Sequence, residues 1–189
     1  MDQKDIENLE IELLLSALHR CYGYDFTHYA KASLKRRLQE MLTSMDLQHF
    51  SELMPKLLHN RELVTPFVVD LSVTVTEMFR DPAFYIDFRD HVIPILKTYP
   101  FIKIWHAGCS TGEEVYSMAI LLHEAGLLDR AQLYATDFNR VALKTASQGI
   151  YSLRRVPEYT ENYCLFSNKA SFSDYYHAKY NAIKMRRDL

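Results

Sequence analysis

Three cysteines in 189 residues, Cys21, Cys109 and Cys164, lie far apart with no C-x-x-C pair, which argues against a disulfide framework or structural zinc site and fits a reducing compartment. Glycine (5) and proline (6) are scarce, which excludes collagen-like and low-complexity classes and favours helix-rich structure. No apolar run approaches the ~18 residues of a membrane span. The opening Asp2, Lys4, Asp5 and Glu7 do not form a basic segment leading into an apolar one, so neither a secretory leader nor membrane insertion is expected, and a cytoplasmic location is. Excess charge of one sign is missing as well. Lys plus Arg number 22 against 24 Asp plus Glu, and the net −2 gives no bulk attraction for nucleic acid or anionic lipid. Eight histidines occur without H-E-x-x-H or any ligand cluster, so no metal is expected. What is present, 48% hydrophobic residues with 13 Tyr and 10 Phe, suffices for one folded domain or two modest ones.

The first 70 residues hold one glycine, Gly23, and follow helical periodicity. Ile6, Leu9, Leu13, Ala17 and Cys21 form one stripe and Leu34, Leu38, Met41, Leu42 and Met45 another, predicting a small helical bundle with Thr27 as a cap for its second helix. From Leu71 the texture changes. Ser72 to Thr76 is β-branched and alternating, and Asp81-Pro82 places proline at a first helical position. Phe101–Trp105 and Gln132–Thr136 read as strands separated by a helix over about 112–125, with a further helix from Asn139 to about Gln148. Strand–helix–strand–helix order predicts a parallel α/β sheet with right-handed crossovers. The expected division is residues 1–70 and 71–189, and the last 40 residues carry no assignable pattern.

The turn Ala107-Gly108-Cys109-Ser110-Thr111-Gly112-Glu113-Glu114 joins a strand to a helix, where an open α/β sheet binds its ligand. A phosphate would meet two carboxylates, Glu113 and Glu114, in that first helical turn, and neither a P-loop nor a complete G-x-G-x-x-G is present. A cofactor without phosphates and with positive charge, such as S-adenosylmethionine, fits better; equally, the two carboxylates serve simply as helix-dipole complements. Asp137, 25 positions after Gly112, stands near the offset at which an acidic residue accepts from a ribose diol, and it can also cap the next helix.

Together, Thr74-Val75-Thr76-Glu77-Met78-Phe79-Arg80-Asp81-Pro82, then Trp105-His106-Ala107-Gly108-Cys109-Ser110-Thr111-Gly112-Glu113-Glu114-Val115-Tyr116-Ser117, then Ala135-Thr136-Asp137-Phe138-Asn139 and Gly149-Ile150-Tyr151 resemble the CheR-type chemotaxis methyltransferases. The resemblance implies a helical receptor-docking domain followed by a class I, Rossmann-like methyltransferase domain. It also implies transfer of methyl groups from S-adenosylmethionine, leaving S-adenosylhomocysteine, to glutamate side chains of chemoreceptor cytoplasmic helices. By matching position, Thr74, Thr76 and Arg80 belong to the segment over the cofactor, with Arg80 also at the reaction centre. Gly108 allows close backbone approach, Glu114 meets the cofactor's polar end and Asp137 its ribose. The sequence departs from the family at Thr74, Glu77 and Met78, where an asparagine, a small residue and a phenylalanine are usual. Lys31, Lys35, Arg36 and Arg37 lie on a helix without acidic residues from Phe26 through Gln39. By resemblance they dock on the acidic methylation region of receptors; an ordinary solvated face is the alternative, and no nucleic-acid motif accompanies them.

From Phe101 onward 89 residues remain, room for about three βα units at ~30 residues each, fewer than a complete methyltransferase sheet of that family holds. The family's later asparagine-and-aromatic motif has no counterpart between Tyr151 and Leu189. The expected domain is therefore incomplete, with an open sheet edge that favours self-association. The competing function is a non-catalytic relative that binds cofactor or receptor as a signalling module.

Overall fold

The computed structural model describes residues 2–72, 76–167 and 171–189, and the chain divides into two compact units, 1–73 and 74–189. Thr74 and most of the extended segment expected over Ser72–Thr76 lie outside the described residues.

The first unit contains α1 (Gln3–Tyr22), α2 (Lys31–Ser44), α3 (Leu53–His59) and α4 (Val64–Leu71). Asp2 and Asp5 form a reciprocal capping box at the start of α1, and Gly23, at φ 79°, ends it in the left-handed conformation. The stripe expected on α1 faces the wrong way: Ile6, Leu9 and Leu13 are exposed, and Leu14 and Leu18 enter the core. Leu13-Leu14-Leu15 puts apolar residues on more than one face, so periodicity alone does not choose which face α2 to α4 cover. On α2 the reading holds for Leu34, Leu38 and Leu42, which are buried, while Met45 is exposed. Thr27 does not cap α2. Its backbone N–H donates to Asp25 Oδ1 at 2.8 Å, and α2 begins after Ala30 without a side-chain cap.

In the second unit Pro82 opens α5 (Pro82–Asp87), which runs through a π-turn at Phe88–Val92 into α6 (Ile93–Leu96). Strand β1 (Ile102–Ala107) pairs in parallel with β2 (Ala131–Thr136), from Ile102 opposite Ala131 to Ala107 opposite Thr136. Helix α7 (Glu113–Glu124) makes the crossover, and α8 (Arg140–Gln148) follows β2, capped by Asn139 Oδ1, which accepts from the N–H groups of Val141 and Ala142. The α/β order read from the sequence is thus present, with a parallel sheet of two strands among the described residues.

The stretch without an assignable pattern folds into β3 (Ile150–Ser152), α9 (Val156–Phe166), β4 (Tyr176–Lys179) and β5 (Ala182–Met185). These strands make a separate antiparallel sheet in the order β3-β5-β4. The tyrosines and phenylalanines of this stretch account for the obscurity: Tyr159, Tyr163, Phe166 and Phe172 are buried in one cluster with Phe79 and Tyr85, and the Phe79 and Phe166 rings stack at 5.0 Å. Aromatic packing across such sequence distances leaves no periodic signature. No helix of the described residues is long and apolar enough to cross a membrane.

Candidate functional site

Three backbone segments of the second unit are tied together at the ends of β1 and β2. The turn after β1 is fastened to β2 by the N–H groups of Gly108 and Cys109, which donate to the Thr136 carbonyl at 2.8 and 2.9 Å. Gly108 and Gly112 take φ of 78° and 92°, and Ser110 takes 50°. A Cβ on Gly112 would come within 2.7 Å of Ala146 Cβ on α8, so only glycine lets α8 pack against this turn. A Cβ on Gly108 would meet nothing within 4 Å, leaving open space beside that backbone for a ligand.

Asp137 sits where β2 ends, and its carboxylate spans two segments: Oδ2 accepts from Ser110 N–H at 2.8 Å and Oδ1 from Asn139 N–H at 2.7 Å. The helix cap is Asn139, so the capping role weighed for Asp137 passes to its neighbour. Asp137 instead fixes the turn while each oxygen retains a lone pair for a further donor, as a vicinal diol requires.

The adjacent carboxylates Glu113 and Glu114, grouped in the sequence, part in the structure. Glu114 points outward, 60% exposed, and its Oε1 lies 2.8 Å from His106 Nδ1. That hydrogen bond holds its carboxyl below the ordinary glutamate value. Glu113 is 1% exposed and accepts from Thr111 Oγ1 (2.6 Å), Tyr159 Oη (3.1 Å) and Arg155 Nη1 (3.1 Å). Of these two carboxylates, Glu114 is thus the one open to solvent. His106 is a polar residue on the inward alternation Ile102, Ile104, His106, a signal that could have exposed its partnership with Glu114. Its Nε2 and the hydroxyl of Ser110 are buried without a hydrogen-bond partner among the described residues.

The third segment, Thr76–Asp81, carries Arg80. Phe79 and Asp81 on either side of it both adopt left-handed backbone, φ 51° and 56°, which for a buried phenylalanine is a costly conformation. The conformation is held from behind: Phe79 N–H donates to Ser117 Oγ (2.8 Å), Asn162 Nδ2 to the Met78 carbonyl (3.1 Å) and Arg155 Nη2 to the Thr76 carbonyl (2.7 Å). Met78 and Phe79 are fully buried and Arg80 is exposed. Ser117, Arg155 and Asn162 escape a reading of motifs because their partners lie 38 to 84 residues away.

Burial, and then the nearby Asp137 carboxylate, push the Cys109 thiol up, which keeps it protonated at neutral pH and unsuited to nucleophilic work. No group of three potential metal ligands occurs among the described residues. An outward carboxylate on the first turn of α7, an acceptor-only Asp137 and an open backbone approach at Gly108 suit a cationic, diol-bearing ligand and oppose a phosphate.

One prediction arises directly from the His106–Glu114 pair. In His106→Leu the Glu114 carboxyl should titrate closer to the ordinary glutamate value. Because the native carboxyl is depressed, the pair's stabilisation is complete above that ordinary value and disappears as pH falls through the lowered one. A carbon-13 NMR titration of the Glu114 carboxyl checks this; the same midpoint in both proteins would remove His106 as the cause.

The basic residues of the first unit divide as well. Lys35 Nζ is 2.5 Å from Glu7 Oε2, and Arg37 Nη1 donates to the Asp70 carbonyl at 3.0 Å. Lys31 and Arg36 are exposed. The four thus do not form one free surface: two fasten α2 within its own unit and two project to solvent.

Comparison with known proteins agrees with this geometry. The SAM-binding domain of CheR methyltransferases matches residues 74–183, and their all-alpha domain matches residues 9–72. Cher3 of Pseudomonas putida, which carries a methyltransferase name, is 48% identical over 177 residues, covering 93% of this chain and 65% of its own length. The chemotaxis protein methyltransferase of Listeria innocua is 29% identical over 144 residues, and chemotaxis protein methyltransferase 2 of Pseudomonas aeruginosa 31% over 143. The chain spans 55% and 51% of those two proteins. With both family domains matched in order over nearly its whole length and a turn whose chemistry fits S-adenosylmethionine, the chain belongs to the CheR methyltransferase family.

Proposed function

We propose that this chain carries the cofactor-binding part of a protein-glutamate O-methyltransferase acting on chemoreceptor cytoplasmic helices, with residues 1–70 docking the receptor and 71–189 holding the cofactor. The observation that carries this reading is the Asp137 carboxylate, fixed across the turn by two backbone N–H groups, with Glu114 exposed beside it. In this reading Asp137 accepts from the ribose hydroxyls, Glu114 faces the ammonium group, and the backbone at Gly108 lies against the ligand. Thr74, Thr76 and Arg80 belong to the segment closing over it, and Arg80 orients the reacting carboxylate. Bound S-adenosylmethionine supplies an electrophilic methyl group and is left as S-adenosylhomocysteine. A substrate glutamate, with an ordinary pKa of about 4.3, is already ionised at neutral pH, so the chain needs no general base and acts by orientation.

Lys31 and Arg36 are the residues we assign to steering toward an acidic receptor helix. The double variant Lys31→Glu/Arg36→Glu should associate with receptor fragments about tenfold more slowly at low salt and lose most of its salt dependence. The same change at Lys35 and Arg37 should instead loosen the bundle, because these side chains bind Glu7 and Asp70. Stopped-flow association rates equal to the native protein's would exclude this surface.

The open outer edge of β1, which pairs with no strand among the described residues, favours the second reading, a self-associating binding module without turnover. Incubation with tritiated S-adenosylmethionine and receptor helices separates the two: label on glutamate supports the enzyme, and cofactor binding without transfer supports the module.

A further inference from the structure

We propose that Arg155 is a positioning residue for the cofactor site, locking the Thr76–Arg80 segment to the glycine turn through the buried carboxylate of Glu113. This inference deepens the cofactor reading above and rests on it. Arg155 stands just before α9, and its guanidinium divides between two targets: Nη2 donates to the Thr76 carbonyl at 2.7 Å and Nη1 to Glu113 Oε1 at 3.1 Å. The guanidinium carbon lies 5.0 Å from the Tyr159 ring centre, so the ring supports its plane. Glu113 in turn holds Thr111 by its hydroxyl, and the Thr111 carbonyl accepts from Tyr151 Oη at 2.8 Å. A single planar cation thus joins the backbone four residues before Arg80 to the residue that follows Gly112.

Geometry favours positioning over simple stabilisation. The pair is only half-buried, with Glu113 enclosed and the Arg155 side chain partly exposed; desolvation of the carboxylate and solvent screening of the guanidinium both offset the attraction, so the pair contributes little net stability compared with a well-packed neutral replacement. Its two-pronged donation specifies where two segments sit relative to each other. The segment it holds is the one that needs holding, because Phe79 and Asp81 are both in left-handed backbone that the chain would leave if released.

The test must avoid stranding a buried charge, so the informative protein is the double variant Arg155→Met/Glu113→Gln. Methionine keeps an apolar stem over Tyr159, and glutamine still accepts from Tyr159 and can donate to the Thr111 hydroxyl. We expect S-adenosylhomocysteine affinity, by titration calorimetry, to fall at least tenfold, with a Tm within a few degrees of native. In ligand-free protein the Phe79 amide should exchange with deuterium at least tenfold faster. Native affinity and native exchange at Phe79 in a folded double variant would overturn the positioning role. Should that variant unfold, Arg155→Lys decides. One ammonium cannot serve both targets in the same geometry, so weakened binding supports the proposal and full native affinity overturns it. Native protein that does not bind S-adenosylhomocysteine would overturn the cofactor reading itself, a result distinct from unequal binding by native and variant proteins.

Discussion

Asp137→Ala should weaken S-adenosylhomocysteine binding at least about a hundredfold, because the two ribose hydroxyls we propose it accepts from would, as donors to a charged acceptor, contribute about 1.5–3 kcal/mol each. The loss has a second source. Ser110 N–H and Asn139 N–H both rest on this carboxylate, so alanine also releases the turn. Asparagine, normally the mild replacement, is not mild here. Each carboxylate oxygen accepts a backbone N–H, and an amide would turn its own NH₂ against one of those donors. Asp137→Asn should therefore bind poorly as well, unlike a site where the carboxylate served the ligand alone. Titration calorimetry checks both; affinity within threefold of native in either variant would take Asp137 out of the site.

Gly112→Ala should strongly destabilise the second unit. The added carbon would lie 2.7 Å from Ala146 Cβ and 2.9 Å from its Cα, and the backbone φ of 92° is unfavourable for any side chain. Overpacking and forced backbone together should cost about 2–5 kcal/mol, lowering Tm by roughly 10 °C or more. Gly108→Ala meets only the backbone penalty, because nothing lies within 4 Å of its added carbon, and should lose about 1–2 kcal/mol. Calorimetric melting of the pair separates packing from conformation; equal Tm values would mean that α8 moves aside without cost.

The contrast between those glycines marks what a sequence can reveal. Gly108, Glu114 and Asp137 were legible because a strand, a tight turn, a helix and a second strand are local events, and the offsets between them survive in the chain. The same locality made β1, α7, β2 and α8 readable. His106 lay within reach of alternation. Glu113 looked equivalent to Glu114, and only the placement of Arg155 and Tyr159 gives it an interior role. On α2 the charges were plain, yet which of them stay free depends on Glu7 and Asp70, which approach only after folding. The antiparallel sheet and α9 were obscure because their aromatics pack on Phe79, Tyr85 and one another rather than in periodic stripes.

The restraints on the Thr76–Arg80 segment also set a timetable for synthesis. Thr76 waits for Arg155, 79 residues later, and Met78 waits for Asn162, 84 residues later. At a synthesis rate of ~5–20 residues per second, that interval is on the order of 4 to 17 seconds. During it β1, α7 and β2 can emerge and pair, while the strained backbone around Phe79 has the Ser117 hydroxyl and the Tyr85 ring to hold it but neither Arg155 nor Asn162. A nascent chain arrested before residue 155 would thus present the glycine turn without its opposing wall. On the proposed reading, cofactor binding therefore follows the emergence of α9 rather than that of the glycine turn.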